Sequence, residues 1–109
     1  MKQFVYPAVY YADSENNTST LLLPDVDILA TDDTVENAFV RAKSHLLSFI
    51  DWSIKFGGAI ADPTSFKETM VLNPRKDILL IDVESNAQKI DRNALDRATT
   101  NLINSLFED

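Results

Sequence analysis

Apolar residues along this chain follow a strand-like spacing first and a helical one later, and polar clusters mark each change. Residues 4–11, Phe-Val-Tyr-Pro-Ala-Val-Tyr-Tyr, are mostly aromatic or β-branched and predict a strand, in which Pro7 requires an edge position or a bulge. Asp13-Ser14-Glu15-Asn16-Asn17 is a turn cluster, so this strand and the next should form a hairpin. Leu21-Leu22-Leu23 stops at Pro24-Asp25, and Ile28-Leu29-Ala30-Thr31 stops at Asp32-Asp33, which predicts two strands with a tight connection. The period then lengthens. Val35, Ala38, Phe39, Ala42, Leu46, Phe49, Ser53 and Phe56 recur at three-and-four spacing and predict an amphipathic helix ended by Gly57-Gly58.

The start of that helix predicts a capping box, with Asp33 accepting from the backbone N–H of Glu36 and Glu36 reaching back. Leu47, Ile50 and Ile54 widen the apolar stripe beyond what one sheet face requires, so part of it is expected to meet another subunit. Residues 62–74 read as a loop or irregular segment whose Phe66, Met70, Val71 and Leu72 pack onto the domain. Ile78-Leu79-Leu80-Ile81 is a strand apolar on both faces, to be covered either by the final helix or by a partner chain. That final helix is expected from about Asp91, with Leu95, Ala98, Leu102 and Leu106 on one stripe and Ile90 as a staple onto Leu95.

Several of these pieces, in this order, resemble the HicB family, the antitoxin half of bacterial toxin–antitoxin pairs. They are Phe4-Val5-Tyr6-Pro7-Ala8, Pro24-Asp25, Asp32-Asp33-Thr34-Val35-Glu36-Asn37-Ala38 with Ala42-Lys43, and the Gly-Gly-Ala-Ile-Ala-Asp-Pro-Thr loop of residues 57–64. The chain departs from the family at Val26-Asp27-Ile28-Leu29, where most members have a Leu-Pro-Gly-Cys type of sequence. The resemblance implies a partial ribonuclease H-like arrangement. The expected fold class is therefore α+β: an antiparallel β-β-β-α-β domain of HicB type with a C-terminal helix. Residues 1–109 would form one HicB-like domain, with 85–109 a C-terminal helical extension. Many HicB proteins carry a ribbon-helix-helix or helix-turn-helix module after the last strand. Here residues 85–109 offer one helix with Lys89, Arg92 and Arg97 against Asp91, Asp96, Glu108 and Asp109, so no autonomous DNA binding is expected.

Composition narrows the chemistry. A chain of 109 residues can bury one modest core. No apolar run is long enough for a membrane span and no secretory signal is visible, so a cytoplasmic protein is expected. The absence of cysteine removes disulfides and thiolate chemistry, and one histidine cannot assemble a usual zinc site; His45 reads as a partly buried structural residue. No Gly-x-Ser-x-Gly occurs, and only two glycines are present, too few for a phosphate-cradling loop. Ribonucleases of the class whose fold the resemblance implies hold metal ions with a carboxylate in the middle of the first strand, but Val5-Tyr6-Pro7-Ala8-Val9 has none. The expectation is a protein that is not an enzyme, with no catalytic residue, cofactor or metal site.

Seventeen acids against ten bases give a net charge of −7, which repels nucleic acid phosphates. Phe4, Tyr6 and Tyr10 share a strand face but have only Lys2 beside them, so they read as core or interface, and RNA binding is the lesser alternative. Residues 25–36 hold five carboxylates and no Lys or Arg. This is either a solvated strand-to-helix connection or a patch that meets a basic partner, with Asp25, Asp27, Asp32 and Asp33 as candidate partner-binding residues. By resemblance, the chain would be a HicB-like antitoxin or stand-alone relative that binds and neutralises a small basic mRNA-cleaving HicA-type toxin, and the two-faced strand and broad helix stripe predict a homodimer or higher homo-oligomer. The alternative is a non-catalytic RNA-associated or structural dimeric domain with no toxin partner.

Overall fold

The computed structural model describes residues 2–91 together with Arg97, Asn101, Asn104 and Leu106. Six elements run in the order β1 (Lys2–Asp13), β2 (Thr18–Leu23), β3 (Ile28–Asp32), α1 (Val35–Phe56), α2 (Phe66–Leu72) and β4 (Asp77–Ser85). The strands form one antiparallel sheet of order β3-β2-β1-β4, so the chain leaves one edge at β3, passes through both helices and returns at the opposite edge. The expected α+β architecture is present.

Each turn has a local cause. Asp13 accepts hydrogen bonds from the N–H groups of Glu15 and Asn16 at 3.1 and 3.2 Å and from Asn16 Nδ2 at 2.8 Å, which bends the chain between β1 and β2. The β2–β3 connection turns with Asp27 in the left-handed region at φ 53°, a conformation aspartate tolerates. Helix α1 ends where Gly57 adopts φ 71° and its N–H bonds Ser53 O.

Pro7 is accommodated by the register. β1 pairs with β4 from Lys2 to Tyr10 but with β2 only from Val9 to Asp13, so at Pro7 the β2 side of the strand has no partner. The missing N–H belongs on that locally open side, the edge position the sequence demanded.

The core lies between α1 and one face of the sheet. Tyr6, Ala8, Leu21, Leu23, Ala30, Ile81 and Val83 of the strands meet Ala38, Ala42, Leu46 and Ile50 of α1. Two alanines in the first half of α1 let its backbone lie close to the sheet, and Leu46 and Ile50 fill the space below. Burying each of these larger side chains is worth about 1.5–3 kcal/mol. Ile50 is thus central rather than part of a widened stripe, whereas Phe56, expected in the core, is 45% exposed.

The opposite sheet face is covered in part. Val9 and Pro7 alternate with the core residues of β1 yet are buried, while Val5, Leu80 and Leu29 are exposed by 38%, 49% and 60%. Lys76 places its ammonium 4.5 Å from the centre of the Tyr11 ring, on that same face.

Two expectations are corrected. The N-cap of α1 is Thr34, not Asp33: Thr34 Oγ1 accepts from the N–H of Asn37 at 3.1 Å, because β3 runs on to Asp32 and the helix starts one residue later than the capping box required. The segment read as irregular contains α2, capped by Ser65, whose Oγ accepts from the N–H of Glu68 at 3.1 Å. The expected C-terminal helix lies mostly outside the described residues; Arg97, Asn101, Asn104 and Leu106 are helical. After β4 the chain is fastened to the end of α1, since Ser85 Oγ donates to Asp51 Oδ1 at 2.5 Å and Ile90 N–H to Lys55 O at 2.9 Å.

Candidate functional site: an acidic edge beside an exposed aromatic pair

The four candidate carboxylates share the β3 side of the molecule but do different work. Asp25 is half-buried and accepts from both donors of Thr64, the N–H at 2.9 Å and Oγ1 at 2.6 Å. It clasps the loop that follows α1 onto the β2–β3 turn. Tyr6 holds the same loop from the core, donating its hydroxyl to Ala61 O at 2.5 Å. Burial raises the Tyr6 pKa above its usual value, helped by the carboxylates of Asp25 and Asp62, so the hydroxyl keeps its proton. The Pro24-Asp25 and Asp62-Pro63-Thr64 stretches, 39 residues apart at the bonded pair, are therefore one structural unit.

Asp32 accepts the N–H of Asp33 at 2.7 Å and is paired with Arg41, whose Nε and Nη2 lie 3.3 and 3.1 Å from Oδ2. The backbone hydrogen bond first, and the guanidinium second, hold its pKa below the usual carboxylate value. The side-chain carboxylates of Asp27 and Asp33 are exposed and engage no hydrogen bond or ion pair among the described residues. Of the four, these two present free negative charge.

The Arg41–Asp32 pair also fixes which side of α1 faces β3. Eleven residues make three helical turns, so Trp52 stands on the same side as Arg41, about 16 Å further along, with His45 in line between them. His45 is exposed, not partly buried as expected. Trp52 is 60% exposed and its ring lies 5.4 Å from that of Phe56, tilted by 45°. A large aromatic pair is thus left in water on the side of α1 that carries Arg41. Trp52 escaped the sequence reading because it falls outside the apolar period, and that very displacement was the available signal.

Among the described residues, no three His, Asp or Glu side chains gather into a group that could hold a metal ion. No helix among them is long and apolar enough to cross a membrane. A cleft of about 500 Å³ between α2 and the start of β4 is lined by Tyr10, Phe66, Met70 and Leu79, with Lys76 and Asp77 at its rim.

No protein-family model matches this chain, and no curated protein matches it in sequence. Solved structures do match. The N-terminal domain of the Burkholderia pseudomallei antitoxin HicB superposes with a TM-score of 0.64 at 16% identity, covering 75% of this chain and 100% of that one. The chain has the HicB antitoxin fold. The Burkholderia pseudomallei antitoxin HicB itself gives a TM-score of 0.62 at 16% identity over 94% of this chain and 84% of that one. A chain from a toxin–antitoxin complex of Streptococcus pneumoniae gives 0.63 at 13% identity, covering 96% of this chain and 97% of that one. The structural matches thus cover up to 96% of this chain, well beyond the residues 4–64 that carry the sequence resemblance.

Proposed function

We propose that this chain is the antitoxin half of a HicB-type pair: a non-catalytic, self-associating cytoplasmic protein that binds and blocks a small basic mRNA-cleaving toxin of HicA type. The observation that carries this reading is the fold likeness, across almost the whole chain, to a HicB antitoxin and to a chain of a toxin–antitoxin complex. The surface supplies a mode of contact. Asp27 and Asp33 steer a basic partner, and Trp52 with Phe56 enters its apolar surface; Asp25 and Asp32 contribute to the field while holding the fold. An RNA-associated role without a toxin is the weaker reading, because the net charge of −7 opposes phosphate binding and the first-strand aromatics Tyr6 and Tyr10 are spent on internal hydrogen bonds. A gene for a small basic protein beside this one is expected, and co-expression with that protein tests the proposal. A complex that survives affinity purification and gel filtration is expected, whereas separate elution of the two proteins at micromolar concentration would count against it.

A further inference from the structure

β4 is an edge strand of the sheet. It pairs with β1 over nine residues, and among the described residues no loop or helix backbone hydrogen-bonds to its other side. Such a row of unsatisfied N–H and C=O groups is a template for another strand unless it is guarded. The guards here are slight. Lys43 reaches from α1 to Asp82 at 3.7 Å, an exposed pair of the kind that contributes little and can turn aside.

We infer that β4 pairs antiparallel with β4 of a second copy about a two-fold axis at Ile81, joining two four-stranded sheets into one of eight strands. This rests on the self-association proposed above and adds where it occurs. Three observations support this occupant. The full nine-residue overlap is centred on Ile81, and it sets Asp82 opposite Leu80, Glu84 opposite Ile78 and Asp77 opposite Ser85, so no two carboxylates meet. Moving the two-fold axis by one residue toward the C-terminus, a register shift of two, would set Asp82 against itself. Second, Pro7 faces Leu80 across β1 and β4, and a strand proline fits where its absent N–H would point away from its partner. That turns the backbone groups of Leu80, and with them those of Ile78, Asp82 and Glu84, to the free edge, where Leu80 and Asp82 of two copies form a hydrogen-bonded pair. Third, apolar surface lies beside the edge. A nine-residue edge is about 30 Å long and by itself supplies less than the roughly 800 Å² per partner of a stable interface. Leu80 is 49% exposed, and on α2, which packs against β4, Met70, Val71 and Leu72 are exposed by 50%, 72% and 68%.

The test uses charge across the two-fold axis. Leu80→Asp puts a carboxylate opposite Asp82 of the other copy twice per dimer, and its solvent-exposed position leaves the fold intact, which an unchanged far-ultraviolet circular dichroism spectrum checks. Light scattering across a dilution series should give twice 12.2 kDa for the parent and a dimer dissociation constant raised about tenfold or more for Leu80→Asp. Adding Asp82→Lys to Leu80→Asp should restore the dimer, since each new lysine then faces a carboxylate. A parent that stays at 12.2 kDa at high micromolar concentration overturns both this inference and the self-association it rests on. A dimer that ignores Leu80→Asp, or that is not regained with Asp82→Lys, overturns the β4 pairing alone. Toxin binding is read separately, by the co-purification above.

Discussion

The clasp between Asp25 and Thr64 is where the fold can be tested with a single substitution. Asp25→Ala removes the acceptor of two hydrogen bonds, to Thr64 N–H at 2.9 Å and Oγ1 at 2.6 Å. A hydrogen bond to a charged group contributes about 1.5–3 kcal/mol, and this one is half exposed, so a total loss of about 2 kcal/mol is expected. For a domain of this size that lowers the melting temperature by roughly 10 °C. Thr64→Val keeps the N–H and the volume but removes the hydroxyl donor, and should cost about 1 kcal/mol. In urea unfolding the two changes share one bond, so the double variant should be less destabilised than the sum by about 1 kcal/mol, with an unchanged m-value. A coupling below about 0.3 kcal/mol would mean that the carboxylate does not hold the loop.

Other predictions follow from the same geometry. Thr34→Ala should cost about 1 kcal/mol in urea unfolding, as loss of an N-cap does, and Asp33→Ala clearly less; the reverse order would restore Asp33 as the cap. Asp32 has a folded pKa below its usual 3.8, so its stabilisation is present above the unfolded value and is lost as pH falls through the folded one; Arg41→Ala should flatten the acid limb of the melting profile, and an unchanged limb would remove the ion pair from the account. Tyr6 has a folded pKa above its usual 10.0, so stability present below pH 10 is lost as pH rises through the folded value, and Tyr6→Phe should abolish that alkaline loss; a profile equally steep in the variant would refute it. Asp27→Asn with Asp33→Asn should slow association with the basic partner at low salt, an effect screened over about 8–10 Å as salt rises, while Trp52→Ala should speed dissociation; stopped-flow rates identical to the parent's would leave the acidic edge a solvated turn.

How far the sequence could be read depended on how local each cause was. The strand order of periods, the hairpin at Asp13 and the end of α1 at Gly57 all rest on residues a few positions apart, and they stand as read. Helix α2 has seven residues, too few for a visible apolar period, although Ser65 followed by Glu68 was a usable cap signal. Asp33 followed by Glu36 fits the capping-box spacing, and only the length of β3 shows that the cap is Thr34. The role of Asp25 could not be read locally, since its partner lies 39 residues away. Asp25 and Asp27 looked like equivalent turn acids, yet one is a structural tie and the other a free charge. That difference matters for any interface experiment, because substituting Asp25 weakens the fold as well as the surface.

The central claim is neutralisation of a toxin, and titration of RNA cleavage measures it most directly. The proposed small basic toxin is held at fixed concentration with a labelled RNA, and the purified chain is added in rising molar ratio. Cleavage should fall in proportion and vanish near one equivalent, with Trp52→Ala requiring more protein to reach the same point. Cleavage that continues unchanged at several equivalents, with both proteins folded, would contradict the antitoxin account.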